Sequence, residues 1–147
     1  MSTITDIADA VVAELNGATE GTFGEAFTAQ RLNLPEFDLK DMATLRVSVV
    51  PKGVQIAAAS RLASQHDWQI DVGVQKKLSA DGADQAEQDD LIALVEQIAA
   101  FLARRSLAAF PAAVWVKTEL PTLYAPEHLR ELRQFTSVLT LTYRTMS

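Results

Sequence analysis

The sequence contains no cysteine, two histidines and six glycines, and each shortage excludes a class of chemistry. Without thiols there is no disulfide framework, no thiol nucleophile and no zinc–thiolate site, which fits a reducing cytoplasm. His66 and His128 lie far apart and neither belongs to an HxxxH or HExxH spacing, so no metal site is expected. The glycines form neither GxGxxG nor a P-loop, so no nucleotide cofactor is expected either. Basic residues are also scarce: 13 Lys and Arg against 19 Asp and Glu give a formal net charge of −6. That balance argues against general affinity for a nucleic-acid backbone or an anionic membrane surface, both of which reward clustered positive charge. No apolar run approaches the roughly 20 residues of a membrane span. Near the N-terminus, Asp6, Asp9 and Glu14 interrupt an apolar stripe where a secretion signal would need an unbroken one.

What remains is an ordinary soluble composition in 147 residues, enough for one domain (1–147) with a real core. Ile4, Ile7, Ala8, Val11, Val12 and Leu15 recur at helical spacing, Thr3 and Asp6 match a capping box, and Gly17 closes the segment, predicting a helix over 3–16. "AFTAQRLNL" predicts a strand near 26–33, ended by Pro35. Leu45, Val47 and Val49 alternate with Arg46 and Ser48, "VPKGV" reads as a turn, and a weaker strand follows near 54–59, together a hairpin. The segment 66–77 alternates strongly, with Trp68, Ile70, Val72 and Val74 on one parity. "SADGADQAEQDD" reads as a solvated acidic loop leading into a second helix. That helix carries Leu91, Leu94, Val95, Ile98 and Leu102 on one face and Arg104 and Arg105 at its end, as the macrodipole favours. Val114, Trp115 and Val116 predict a strand with both faces at least partly covered, and 134–143 alternates again.

The predicted order is therefore α-β-β-β-β-α-β-β. Two helices and several strands that are apolar on one face are best satisfied by an α+β fold: a two-layer sandwich with both helices on one side of a mainly antiparallel, mixed sheet. Asp67, Gln69, Asp71 and Gln75 on one strand, and Gln134, Thr136, Thr140 and Thr142 on the other, then share the sheet face that no helix covers. Such a face is either simply solvated or an assembly surface, and composition alone does not separate the two. On this scheme Leu139→Asp should unfold the domain, whereas Thr140→Asp, on the opposite face, should be tolerated.

Catalytic constellations are thin. Ser64, His66 and Asp67 carry the letters of a triad, but on one strand successive side chains diverge. Asp81, Asp84, Glu87, Asp89 and Asp90 resemble a calcium loop only loosely, since Gly82 is misplaced and the closing Glu is absent. Asp67 and Asp71 are same-face acids of a kind common on strand surfaces. Trp68, Phe135 and Tyr143 occupy the core parity, which leaves them poorly placed to stack on bases.

Four segments carry a resemblance: "FDLKDM" (37–42), "VSVVPKGVQI" (47–56), "SRLASQHDWQIDVGVQKKL" (60–78) and "LYAPEHLRELRQFTSVLTLTYR" (123–144). Together they resemble a family of small proteins encoded in the morphogenesis clusters of tailed phages and prophages, of the tail-terminator or tail-completion type. The resemblance covers nearly the whole chain. It implies a non-enzymatic virion structural protein, without cofactors, that caps the tail tube as a ring, usually hexameric. Its partners would be other copies of itself, the tail tube protein and head–tail connector proteins. DNA would meet it only in transit, and no membrane would be involved. Its place would be the host cytoplasm during assembly and then the tail or neck of the virion. A ring subunit needs two heterologous flanks and a lumen-facing surface, for which the eight polar strand residues are candidates. Asp81, Asp84, Asp89 and Asp90 are candidates for an acidic wall that repels DNA in the channel. Three alternatives stand beside this reading: a head-completion or connector protein, a small hydrolase or isomerase using surface carboxylates with His66 or His128, and a host-directed binding module.

Overall fold

A computed structural model describes residues 2–33, 45–78, 85–121, 123–127 and 134–147. Its elements are α1 (Thr3–Asn16), β1 (Ala29–Arg31), β2 (Arg46–Ala58), β3 (Ser64–Lys77), α2 (Gln85–Leu102), β4 (Val114–Glu119) and β5 (Gln134–Met146). The strands form one sheet in the order β1-β2-β3-β5-β4; β1 runs parallel to β2 and every other neighbouring pair is antiparallel. The α+β architecture expected from the sequence is thus found.

Strand alternation builds one face of that sheet from Val47, Val49, Ile70, Val72, Val74, Leu139 and Leu141. The helices supply Ile7, Val11, Leu91, Leu94 and Ile98 to the same buried cluster, so both pack on this single face. The cluster is continuous, and Phe135 and Tyr143 extend it along β5. Among the described residues no helix is long and apolar enough to cross a membrane.

Several boundaries differ from the sequence reading. The expected hairpin at 45–59 is a single strand: β2 pairs with β3 from Arg46↔Gln75 through to Ala58↔Ser64, with a bulge between Pro51 and Gly53. A bulge absorbs the extra residue and accommodates a proline that has no N–H for the ladder, so "VPKG" bends the strand without reversing it. The order is consequently α-β-β-β-α-β-β, one strand fewer than expected. β1 is only three residues long, against an expected span of 26–33. Helix α1 is capped one residue earlier than expected, by Ser2, whose Oγ accepts from the Thr5 N–H at 3.4 Å. Gly17 does close α1, with a φ of −87°. Its N–H donates to the Ala13 carbonyl at 2.9 Å, and an added Cβ would stand 3.0 Å from that oxygen.

Residues 85–90, read as the end of an acidic loop, form the first turns of α2. At its other end α2 stops at Leu102, so Arg104 and Arg105 lie just beyond its last turn. Arg104 takes a left-handed φ of 60°, which costs a residue with a Cβ roughly 1 kcal/mol or more. Arg105 then stacks over the Phe101 ring at 4.0 Å and pairs with Glu14 of α1 at 2.6 Å, tying the ends of the two helices together. β4 is an edge strand and only partly covered: Val114 is exposed, while Trp115 and Val116 are half-buried.

Candidate assembly surface

The sheet face opposite the helices is assembled by cross-strand pairing. β3 and β5 pair without a break from Gln65↔Met146 to Lys77↔Gln134, which sets Asp67 opposite Arg144, Gln69 opposite Thr142, Asp71 opposite Thr140 and Gln75 opposite Thr136. The eight predicted polar residues therefore do come together on one face. None is fully exposed: Asp67, Gln69, Asp71 and Thr136 are half-buried, while Gln75, Gln134, Thr140 and Thr142 are buried. The burial follows from position on the two interior strands, where a short side chain is walled in by longer neighbours on both sides. Thr142, for example, sits between Gln69 and Lys117.

Two polar ties organise the face. The Arg144 guanidinium donates twice to the Asp67 carboxylate, Nε to Oδ1 at 2.8 Å and Nη2 to Oδ2 at 3.2 Å. These charge-assisted bonds outweigh partial burial and hold the Asp67 carboxyl below its usual range, while raising the Arg144 guanidinium above its own. Four residues along, the Thr140 hydroxyl donates to Asp71 Oδ1 at 2.7 Å, and Lys52 Nζ stands 3.9 Å from the same oxygen. Thr140→Asp would therefore set a second carboxylate against Asp71, so the geometry predicts a loss of stability where the sequence reading expected tolerance. Lys52 and Arg144 were not picked out from the sequence. Setting the two alternating segments against each other in antiparallel register would have exposed the Asp67–Arg144 pair.

Beside Asp71 lies a cavity of about 280 Å³ lined by Ser48, Val50, Pro51, Lys52, Gly73 and Val138. Gly73 allows close approach there: a Cβ at that position would stand 3.0 Å from Ser48 Oγ, which would have to give way by a few tenths of an ångström. The Ser48 and Thr142 hydroxyls are buried without a hydrogen-bond partner on this face.

Ser64, His66 and Asp67, which carry the letters of a triad, do not converge. His66 lies on the helix-side parity, stacked on Trp68 at 5.5 Å with Nε2 3.1 Å from Ser147 Oγ, whereas Asp67 points to the other face toward Arg144. His128, Asp81 and Asp84 lie outside the described residues. Asp89 and Asp90 are exposed on the first turns of α2. Among the described residues no group of three or more His, Asp or Glu side chains is arranged to hold a metal ion. No family model matches the chain, and no curated protein matches it.

Proposed function

We propose that this protein is a non-enzymatic structural component of a tailed-phage or prophage virion: a ring subunit that caps the tail tube and joins it to the head. The observation that carries the reading is where the resembling segments fall. "VSVVPKGVQI" lies within β2, "SRLASQHDWQIDVGVQKKL" spans the β2–β3 connection and β3, and "QFTSVLTLTYR" lies in β5. These three strands build the wide, hydrogen-bonded polar face, which suits a subunit that stays soluble before it assembles. Its partners on this reading are further copies of itself, the tail tube protein and the connector proteins of the head. It works in the host cytoplasm during assembly and then in the tail or neck of the particle.

Deleting the gene from an inducible prophage and imaging the lysate by electron microscopy tests the proposal. Free heads beside overlong tails are expected for a terminator. Free heads beside tails of normal length would reassign the protein to a connector or head-completion role. A lysate full of normal infectious particles would overturn the structural reading.

A further inference from the structure

Among the described residues, the two edges of the sheet are each defended along one half only. On β2, strand β1 covers Val47 to Val49, after which come the Pro51/Gly53 bulge and Lys52. From Gly53 to Ser60 there is no charge at all, Ile56 is 61% exposed, and no described strand pairs with this outer edge. On β4 the second half carries Lys117 and Glu119, which neutralise each other at 3.1 Å, with Pro121 beyond. Its first half belongs to an uncharged run from Ser106 to Val116, which includes Pro111 and ends at the bulge between Trp115 and Lys117, and Val114 is 63% exposed. Natural sheets guard free edges with charge, proline and bulges because an unpaired ladder recruits another strand. Here charge is missing from neighbouring rows on both edges.

The pairing registers show how closely the unguarded halves correspond. Gln55, Asp67, Arg144 and Val114 form one row across the sheet, and Val54, Trp68, Tyr143 and Trp115 form the next. The two open stretches therefore lie at the same end of the sheet and share these two rows; one row further on, Gly53 stands level with Lys117. Three antiparallel steps separate β2 from β4, so the two edge strands run in opposite directions. A copy placed alongside by rotation about an axis parallel to the strands keeps its strand directions, and so brings its β2 antiparallel to the first copy's β4. In unshifted rows Val54 then neighbours Trp115, apolar on apolar, and Gln55 neighbours Val114, with no charged side chain from either stretch at the seam.

We propose that the occupant of each open edge is a second copy of this chain: Val54 and Gln55 of one subunit pair with Trp115 and Val114 of the next, continuing the sheet from subunit to subunit. The contact is heterologous, so it closes into a ring if the rotation closes. The inference rests on the ring reading for that closure and names the surface that makes it. Main-chain hydrogen bonds supply the affinity, as in other strand additions, and the unguarded side chains set the register.

Disulfide capture tests the contact, since introduced cysteines would be the only thiols in the chain. Gln55 and Val114 are both exposed, so replacing either leaves the core intact, and thermal melts verify this. Opposed residues on paired strands hold their Cβ atoms about 5 Å apart, near the roughly 4 Å of a disulfide. A mixture of full-length Gln55→Cys and Val114→Cys proteins, mildly oxidised, is expected to give the mixed dimer. The double variant should give a ladder of larger species that ends at a closed ring. Each single variant alone should stay monomeric. Efficient self-crosslinking of Gln55→Cys would overturn the proposal in favour of a twofold β2–β2 contact. Absence of crosslinks both in the mixture and in particles carrying the double variant would overturn it outright. A head–tail joining defect in the deletion lysate together with failed crosslinking removes this interface and leaves the ring reading standing. Successful crosslinking with normal particles after deletion does the reverse.

Discussion

Adjacent residues on β5 separate the two faces of the sheet in a single measurement. Leu139 is fully buried in the core that both helices share, and cutting it to Ala removes its contacts and leaves a cavity, for about 3 kcal/mol of lost stability. Thr140, one residue along, faces the other way, and its hydroxyl donates to Asp71 at 2.7 Å. Thr140→Val keeps the shape and removes that bond. Asp71 retains Lys52 at 3.9 Å and some access to water, so no buried acceptor is stranded and the loss is held to about 1 kcal/mol. For 147 residues, each kcal/mol moves the midpoint by roughly 4 °C. The expected outcome is a fall of about 12 °C for Leu139→Ala and about 4 °C for Thr140→Val, read by circular dichroism melts at one pH and one protein concentration. Equal falls would refute the one-sided core, because they would mean that the polar face is packed as tightly as the apolar one.

The Asp67–Arg144 pair makes a pH-dependent prediction. The folded-state carboxyl is depressed by the two bonds from Arg144, so the stability it contributes is present above the ordinary carboxylate range and is lost as pH falls through the lower folded value. The gap in melting midpoint between wild type and Asp67→Asn should therefore be widest near neutrality and shrink below about pH 4; a gap independent of pH would remove the ion pair from the account. Tyr143 is buried with a hydroxyl that has no partner, and burial, with Glu14 nearby, pushes the phenol well above its usual range. Tyr143→Phe should leave stability unchanged or raise it, and a loss above about 1 kcal/mol in urea melts would show the hydroxyl to be hydrogen-bonded. Replacing Asp81, Asp84, Asp89 and Asp90 together with Lys tests the acidic-channel reading: particles should assemble but eject DNA slowly, with the defect relieved as salt rises. Wild-type ejection at low and high salt would place these residues outside the channel.

Alternation and helical spacing made the core readable. The parity of Ile70, Val72 and Val74, the parity of Leu139 and Leu141, and the stripe of Leu91, Leu94, Val95 and Ile98 are all buried as the sequence implies. What failed were features that periodicity does not encode. "VPKG" has the composition of a turn, and only the length of β3 argues otherwise: a 14-residue strand needs a neighbour longer than either half of a hairpin at 45–59 could supply. Gln85 to Asp90 were missed because helical turns that carry no apolar stripe give no amphipathic signal. On the polar face, sequence told which way Thr140 and Thr142 point but not how crowded they are, since crowding depends on neighbours from strands distant in the chain. The open edges were invisible for the same reason, because strand order comes from pairing and not from composition.

Strand β5 is the latest of the described elements in the sequence, yet it occupies the interior of the sheet between β3 and β4. Its partner β3 is separated from it by the whole of α2 and β4, so the β3–β5 ladder is a long-range pairing that must wait for a large loop to close. Until it forms, β3 and β4 are both raw edges, and the apolar faces of the helices have only half a floor to rest on. During synthesis the β2–β3 hairpin can form early from local contacts, but the sheet becomes a single cooperative unit only when Gln134 to Met146 slides into the gap. Nascent chains of this protein therefore spend their longest unprotected interval with two sticky edges exposed, a stage at which holdase chaperones would protect them and at which a slowed β5, such as a Leu141→Gly variant, would send more of them into aggregates than its effect on folded stability alone accounts for.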